Sequence, residues 1–364
     1  MLKKSKLRLG AVAVAVCTAT LFGAISASAD PAAGTFKALS GVGSDTTQDL
    51  VAGLASAIPA IGSYDAIGSA TIQTKAGGAT YSRPNGSGSG VDALSASIDG
   101  SVFGAVGGVG GSVITGQVDF ARSSGGPNAS KPGTDLTFIP FATDAVTFAV
   151  NAASDFPRDI TLGSAAQETL TPKPFTLRNI YKCLVTSYTD ADGAQVTIRP
   201  LLPQAGSGTR KFWLGKLGLV EGSLPTCVTD INNTVEEHDG TYLTGPGDIA
   251  PFSVAQWIAQ GNHKALPTTV IERRGSTVLG NIGGNKPYTI TIGGGAVLNA
   301  SFPITRNVYN VVQTSRLTSD STIAATFVGS GSAVCTNTAI IKAYGFGVNA
   351  ACGDTTSFKQ ALSQ

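Results

Sequence analysis

Three stretches of this chain repeat one order: a short apolar run, a turn rich in Gly, Ser and Thr, then an apolar helical stripe. In the clearest of them, Val196-Thr197-Ile198-Arg199 reads as a strand and residues 203–210 as the turn. Trp213, Leu217 and Val220 then fall at i, i+4 and i+7 of a helix. Repeated strand–turn–helix units restrict the chain to an α/β fold. They also create a recurring chemical opportunity, because a helix start leaves backbone N–H groups unpaired and ready for an anion. Gly206 and Gly208 let the backbone approach closely, Ser207 and Thr209 add hydroxyls, and Arg210 adds a guanidinium. The competing reading is a plain helix cap.

The first unit runs from Phe36 through Gly43-Ser44-Asp45-Thr46-Thr47, with Val51, Leu54 and Ile58 as its stripe. Any of Ser44, Asp45, Thr46 or Thr47 can cap that helix and leave hydroxyls for a ligand. The second is Asn85-Gly86-Ser87-Gly88-Ser89-Gly90, followed by Val91, Leu94 and Ile98. A third small-residue turn ends a strand at residues 118–127, where Arg122, Ser123 and Ser124 sit together. Arg122 reads either as an anion-binding cation or as a solvated surface residue. Residues 100–116 are glycine-rich and read as a flexible surface insertion. Their match to a dinucleotide-binding glycine pattern is weak, since no dinucleotide unit surrounds it.

Further on, residues 138–151 are strand-rich, with Val146, Phe148 and Val150 alternating. Thr176 caps a helix with Leu177, Ile180, Tyr181 and Leu184 on one face, and Ser253 starts another with Val254, Trp257 and Ile258 inward. Residues 308–312 form a second long strand, and the last helix covers about residues 338–344.

The chain opens with Lys3, Lys4, Lys6 and Arg8, an apolar run over roughly residues 9–25, and Ala27-Ser28-Ala29. That is the pattern of a secretory signal peptide over residues 1–29, cut before Asp30. A lipid-anchored start at Cys17 is disfavoured by Val16, where a small residue is wanted. Removing the leader takes four basic and no acidic residues from 25 Lys+Arg and 23 Asp+Glu, leaving a net charge of −2. No basic excess points to nucleic acid, and no later apolar run spans a membrane. The remaining length suggests two domains. An even set of four cysteines in an exported chain reads as two disulfides, and sequence proximity favours Cys183–Cys227 and Cys335–Cys352. Two histidines, His238 and His263, and no Cys-x-x-Cys leave no zinc pattern, so neither metal nor cofactor is expected.

These segments, in this order, resemble the secreted substrate-binding proteins of ABC phosphate importers. Four pieces carry the likeness: the Gly-Ser-Asp-Thr-Thr loop, the start at residues 86–90, the turn at 118–127, and Gln204-Ala205-Gly206-Ser207-Gly208-Thr209. The resemblance implies the type 2 periplasmic-binding-protein fold, two α/β lobes joined by two crossover strands. It places lobe one at about 36–140 plus 310–364 and lobe two at about 141–309. The implied ligand is phosphate or another small oxyanion, held between Ser44, Asp45, Thr46, Thr47, Ser87, Gly88, Ser89, Arg122, Ser123 and Ser124 on one wall. Ser207, Gly208, Thr209 and Arg210 form the other. The implied partners are the subunits of an ABC permease, and the implied state is a monomer outside the cell, associated with its surface. Two departures stand out. The family's aspartate after Ala-Ser, which accepts the proton of hydrogen phosphate, is replaced in Ala121-Arg122-Ser123 by an arginine. The family's arginine four residues before the Ser of Ser-Gly-Thr is Pro203 here, with Arg199 and Arg210 the nearest cations. Asp45 is the remaining candidate for the proton acceptor.

Two other classes compete. An adhesion or cell-wall protein keeping the fold without transport accounts for both departures. A serine hydrolase is disfavoured, because residues 205–209 do not form a Gly-x-Ser-x-Gly elbow.

Overall fold

Sixteen residues without a break, Leu136–Asn151, form the strand on which the molecule is assembled. The computed structural model describes residues 30–104 and 110–363. The leader expected over residues 1–29 lies outside the described residues, as does the tip of the glycine-rich stretch, 105–109. The flanks of that stretch are ordered: Val102–Phe103 and Ser112–Val113 pair as an antiparallel hairpin.

The elements that position the site are β1 (Leu39–Gly43), α1 (Gln48–Ala57), β2 (Ile61–Ser63), α2 (Gly86–Asp99) and β3 (Phe120–Ser123). After β4 (Leu136–Asn151) come α3 (Leu177–Tyr181), β5 (Arg199–Pro200) and α4 (Gly208–Leu217). The series continues with β6 (Asp248–Ser253), α5 (Val254–Gly261) and β7 (Thr305–Gln313). They form one mixed sheet in the order β5-β6-β4-β7-β3-β1-β2. β4 and β7 run antiparallel at its centre from Thr305↔Ala145 to Gln313↔Leu136, with a register shift between Val308 and Tyr309. β1 is parallel to β2 and β3, and β6 is antiparallel to β4.

Alternation along β1 sends Leu39 to one face and Val42 to the other. Leu39 joins Leu50, Val51 and Leu54 of α1, while Val42 joins Val91 and Leu94 of α2. At the other end of β4, Val146, Phe148 and Val150 pack against Ile180, Tyr181, Trp213 and Leu217. Covering both faces of a sheet with helices is the α/β solution anticipated from the sequence.

Two expected helical faces end early. Gly218 takes a left-handed conformation (φ 63°) and caps α4 after Leu217, so Val220 lies beyond the helix, exposed. Likewise α3 stops at Tyr181 and Leu184 is exposed. Thr176 and Ser253 do cap α3 and α5, accepting from the backbone N–H of Asn179 and Gln256. Both disulfides join the cysteines paired by proximity, with Cα–Cα distances of 6.0 Å for Cys183–Cys227 and 5.8 Å for Cys335–Cys352. Among the described residues no helix is long and apolar enough to cross a membrane.

Candidate functional site

The helix starts of α1, α2 and α4 meet at a seam between the β1–β3 side of the sheet and the β5–β6 side. Close backbone packing brings them together. A Cβ on Gly90 would lie 2.5 Å from the Cα of Gly43, so α2 rests directly on the end of β1. A Cβ on Gly208 would lie 2.5 Å from Ser124 Oγ, 2.6 Å from Gly125 N and 2.7 Å from Ser87 Oγ. Only glycine lets α4 approach the opposite wall this closely. Gly88 N donates to Gly206 O across the seam at 3.1 Å.

At this junction three hydroxyls converge on one carboxyl group, that of Glu237, which is fully buried. Ser207 Oγ donates to Oε2 at 2.9 Å and Thr209 Oγ1 to Oε1 at 2.7 Å. Thr46 Oγ1, from the opposite side of the seam, also donates to Oε1. The protons are forced in this direction. Ser207 Oγ already accepts from the backbone N–H groups of Thr209 and Arg210 as the α4 cap. Thr209 Oγ1 already accepts from Arg306 Nη2 at 2.7 Å. Arg306 in turn pairs with buried Asp144 at 2.8 Å, and Asp144 accepts from Ser253 Oγ at the start of α5. The backbone beside Thr46 is fixed by Gln256 Nε2, which donates to Thr46 O at 2.7 Å.

The electrostatics are dominated by acid crowding. Burial, with Asp45 next, raises the pKa of Glu237, while the hydroxyl of Thr46, His238 and Arg306 pull it back down. Burial and the nearby Asp45 also raise that of Glu236 far above the carboxylate range. Gln204 Nε2 donates to both Glu236 oxygens, at 2.9 and 3.2 Å, and Asn85 Nδ2 to Oε1 at 3.4 Å. Asp45 Oδ1 accepts from the backbone N–H of Thr46 at 2.9 Å, and its buried Oδ2 has no hydrogen-bond partner among the described residues. Asp45, Glu236 and His238 bring polar atoms within 4.8 Å of one another, but they suit a cation poorly. Arg273 Nη1 donates to His238 Nε2 at 3.0 Å, which leaves the imidazole proton on Nδ1, facing Asp45 Oδ2 at 3.6 Å. Burial keeps that imidazole neutral, its pKa lowered to about 4.

Of the residues singled out in the sequence, Thr46, Ser207, Gly208 and Thr209 lie at the junction itself. Ser87 joins Ser124 beside it, accepting from Ser124 N at 3.0 Å. Ser44 Oγ and Thr47 Oγ1 are buried with no hydrogen-bond partner among the described residues. They do not cap α1. Ser89 is half-buried on α2.

Three of the expected ligand residues are engaged with other groups in this structure. Arg122 is fully buried but its donors turn away from Glu237: Nε to Ser44 O (3.2 Å), Nη1 to Gly41 O and Ser63 Oγ (3.1 and 3.0 Å), Nη2 to Gly43 O (3.4 Å). It braces the end of β1 and is not the solvated surface residue of the alternative reading. Arg210 is taken up by Glu221 and Asp230 and by Pro203 O. Ser123 Oγ donates locally to Gly125 O. Arg199, the other cation near Pro203, forms a bidentate pair with Asp248. Sequence reasoning missed Glu237 and Arg306. Their signals were four consecutive titratable residues, 236–239, and one cation inside the strand of residues 305–313. A serine hydrolase finds no support here, since the Ser207 proton goes to a carboxyl group and not to an imidazole.

No curated protein sequence matches the chain. Among solved structures, a protein from Clostridium perfringens assigned as a phosphate ABC transporter substrate-binding protein, with bound phosphate, superposes with a TM-score of 0.50. It shares 15% identity over 85% of this chain and 99% of its own. An ABC-type phosphate transport receptor from Vibrio cholerae gives 0.49 at 16% identity, over 85% of this chain and 100% of its own. At such identities the likeness is one of fold. The sequence profile of the PBP superfamily domain matches residues 27–329, most of the chain, and the protein belongs to that superfamily.

Proposed function

We propose that the chain is an exported solute-binding protein that holds a small oxyanion, phosphate or a relative of it, where α1, α2 and α4 meet. In this reading residues 36–140 plus 310–364 and residues 141–309 are two lobes that close on the ligand. The monomer works outside the cell, at its surface, and hands the ligand to an ABC permease. It binds and releases; it does not turn substrate over.

The observation that carries the reading is the convergence of Thr46, Ser207 and Thr209 on the two oxygens of Glu237. Hydroxyl donors from both sides of a seam, backed by a helix start, are arranged around an oxyanion group, and the group they hold is the chain's own. Hydrogen bonds from such hydroxyls to a charged ligand contribute roughly 1.5–3 kcal/mol each. Phosphate is the first ligand to test because the Clostridium perfringens protein was solved with it.

Calorimetric titration of phosphate and sulfate is the measurement. Saturable one-to-one binding is expected, weakened roughly 10²–10⁴-fold by Ser207→Ala with Thr209→Ala. A melting curve separates this from the loss of the α4 cap, which costs about 1 kcal/mol of stability. Wild-type affinity in the double variant would rule out the site. The second reading, a surface protein without transport, is favoured by Glu237 filling the cradle and predicts no titratable anion at all.

A further inference from the structure

A buried carboxyl group is normally held by a cation in direct contact. Glu237 is not: among the described residues no Lys, Arg or His makes an ion pair with it, and Arg306 reaches it only through Thr209. What surrounds it is a set of hydroxyls: that of Thr46, 191 residues away in the sequence, and those of Ser207 and Thr209, 30 and 28 residues away. That is how a binding site treats a ligand, not how a fold treats a structural acid.

The backbone around Glu237 is fixed independently of its side chain. Its carbonyl accepts from Ser253 N, and the carbonyl of His238 accepts from Gln260 Nε2 at 2.7 Å. The segment leading to it contains three consecutive left-handed non-glycine residues, Ile231, Asn232 and Asn233 (φ 51°, 57° and 65°). The side chain is therefore not needed to hold that backbone; what it adds is a link across the seam, to Thr46. The hydroxyls of Thr46, Ser207 and Thr209 each have one proton and all three give it to Glu237, so a second anion cannot use them while that carboxyl group is in place.

We infer that Glu237 is the built-in ligand of this cradle: its carboxyl group closes the seam when no free anion is present, and any free anion must displace it. The inference rests on the oxyanion-binding reading for its second half only. Displacement takes the Glu237 carboxyl group out of its buried position beside Asp45, where burial first and Asp45 next raise its pKa, so exchange relieves that cost as it breaks the three hydroxyl bonds. Glu237 then sets specificity. An anion is retained only if it satisfies Thr46, Ser207 and Thr209 better than a tethered carboxyl group, whose effective concentration is of millimolar order or above. Apparent affinity is lowered by the fraction of molecules in which Glu237 holds the site.

Small-angle scattering and calorimetry on the full mature chain test both halves, using Glu237→Ala and Glu237→Gln with inorganic phosphate and sulfate as probes. Without anion, Glu237→Ala is expected to have a larger radius of gyration than wild type, with Glu237→Gln between them. Phosphate or sulfate is expected to bind Glu237→Ala at least about tenfold more tightly than wild type and to restore the compact form. Thr46→Val, which removes the hydroxyl on the far side of the seam and leaves Glu237 in place, is expected to expand the chain too. It stands in for Glu237→Ala if that variant does not fold. An unchanged radius of gyration in both variants overturns the inference. Expansion of Glu237→Ala with no response to either anion leaves Glu237 as the closing group and overturns the oxyanion-transport reading instead.

Discussion

Asp49, in the first turn of α1, is buried, and burial followed by the charge of Asp65 raises its pKa from 3.8 to about 7. Between those two values the folded chain keeps a proton that the unfolded chain has lost. Stability is therefore highest at low pH, falls as pH rises through the window, and levels off above about 7. Asp49→Asn removes this contribution. Urea denaturation at pH 5 and pH 8 should show the variant losing roughly 3 kcal/mol less than wild type between the two. Equal losses would show that Asp49 is ionised throughout. Single residues also mark the limit of what the sequence discloses. Ser207 and Thr209 were legible because a strand, a Gly/Ser turn and a helix start announce their own geometry. Glu237 was not, because its partner Thr46 lies 191 residues away and nothing local signals the contact. Arg122 was visible as a cation in a polar turn. Its destination, the carbonyls of residues 41, 43 and 44, depends on β3 lying beside β1, which only the assembled sheet supplies.

Among the elements, α4 is the one that decides whether the seam closes. Its first residue is Gly208, and the atoms facing that position include the backbone of Gly125, which cannot move aside as a side-chain tip can. Gly208→Ala should hold the two sides apart without harming α4, since alanine suits a helix better than glycine does. Expected results are a larger radius of gyration, a clear loss of anion affinity and near-normal far-ultraviolet dichroism. Wild-type scattering from the variant would mean that the seam relaxes around an extra methyl group. Helix starts were easier to foresee than helix ends. Thr176 and Ser253 do cap, because a capping hydroxyl acts within three residues. The stripes through Val220 and Leu184 overran, because periodicity continues past a left-handed glycine or a short helix that ends by tertiary packing.

For the molecule as a whole, the α/β class followed from repeated local units, whereas the strand order is seen only in the assembled sheet. Length suggested two domains and the resemblance alone gave their bounds; composition shows no boundary, and β4 passes from one side of the sheet to the other with no linker. That continuity has a thermodynamic outcome. Ala255 and Ala259 of α5 share a core with Leu50 and Leu54 of α1, and β4 pairs with β7 along its first half and with β6 along its second. Domains on a flexible tether unfold one after another, whereas parts sharing a hydrogen-bonded ladder and a core cannot separate their transitions. Scanning calorimetry should record one endotherm whose van't Hoff and calorimetric enthalpies agree, where two resolved peaks would contradict the coupling. A lesion near Cys335–Cys352 should then lower the melting point sensed at Trp213, on the far side of the seam, by as much as it lowers the local one.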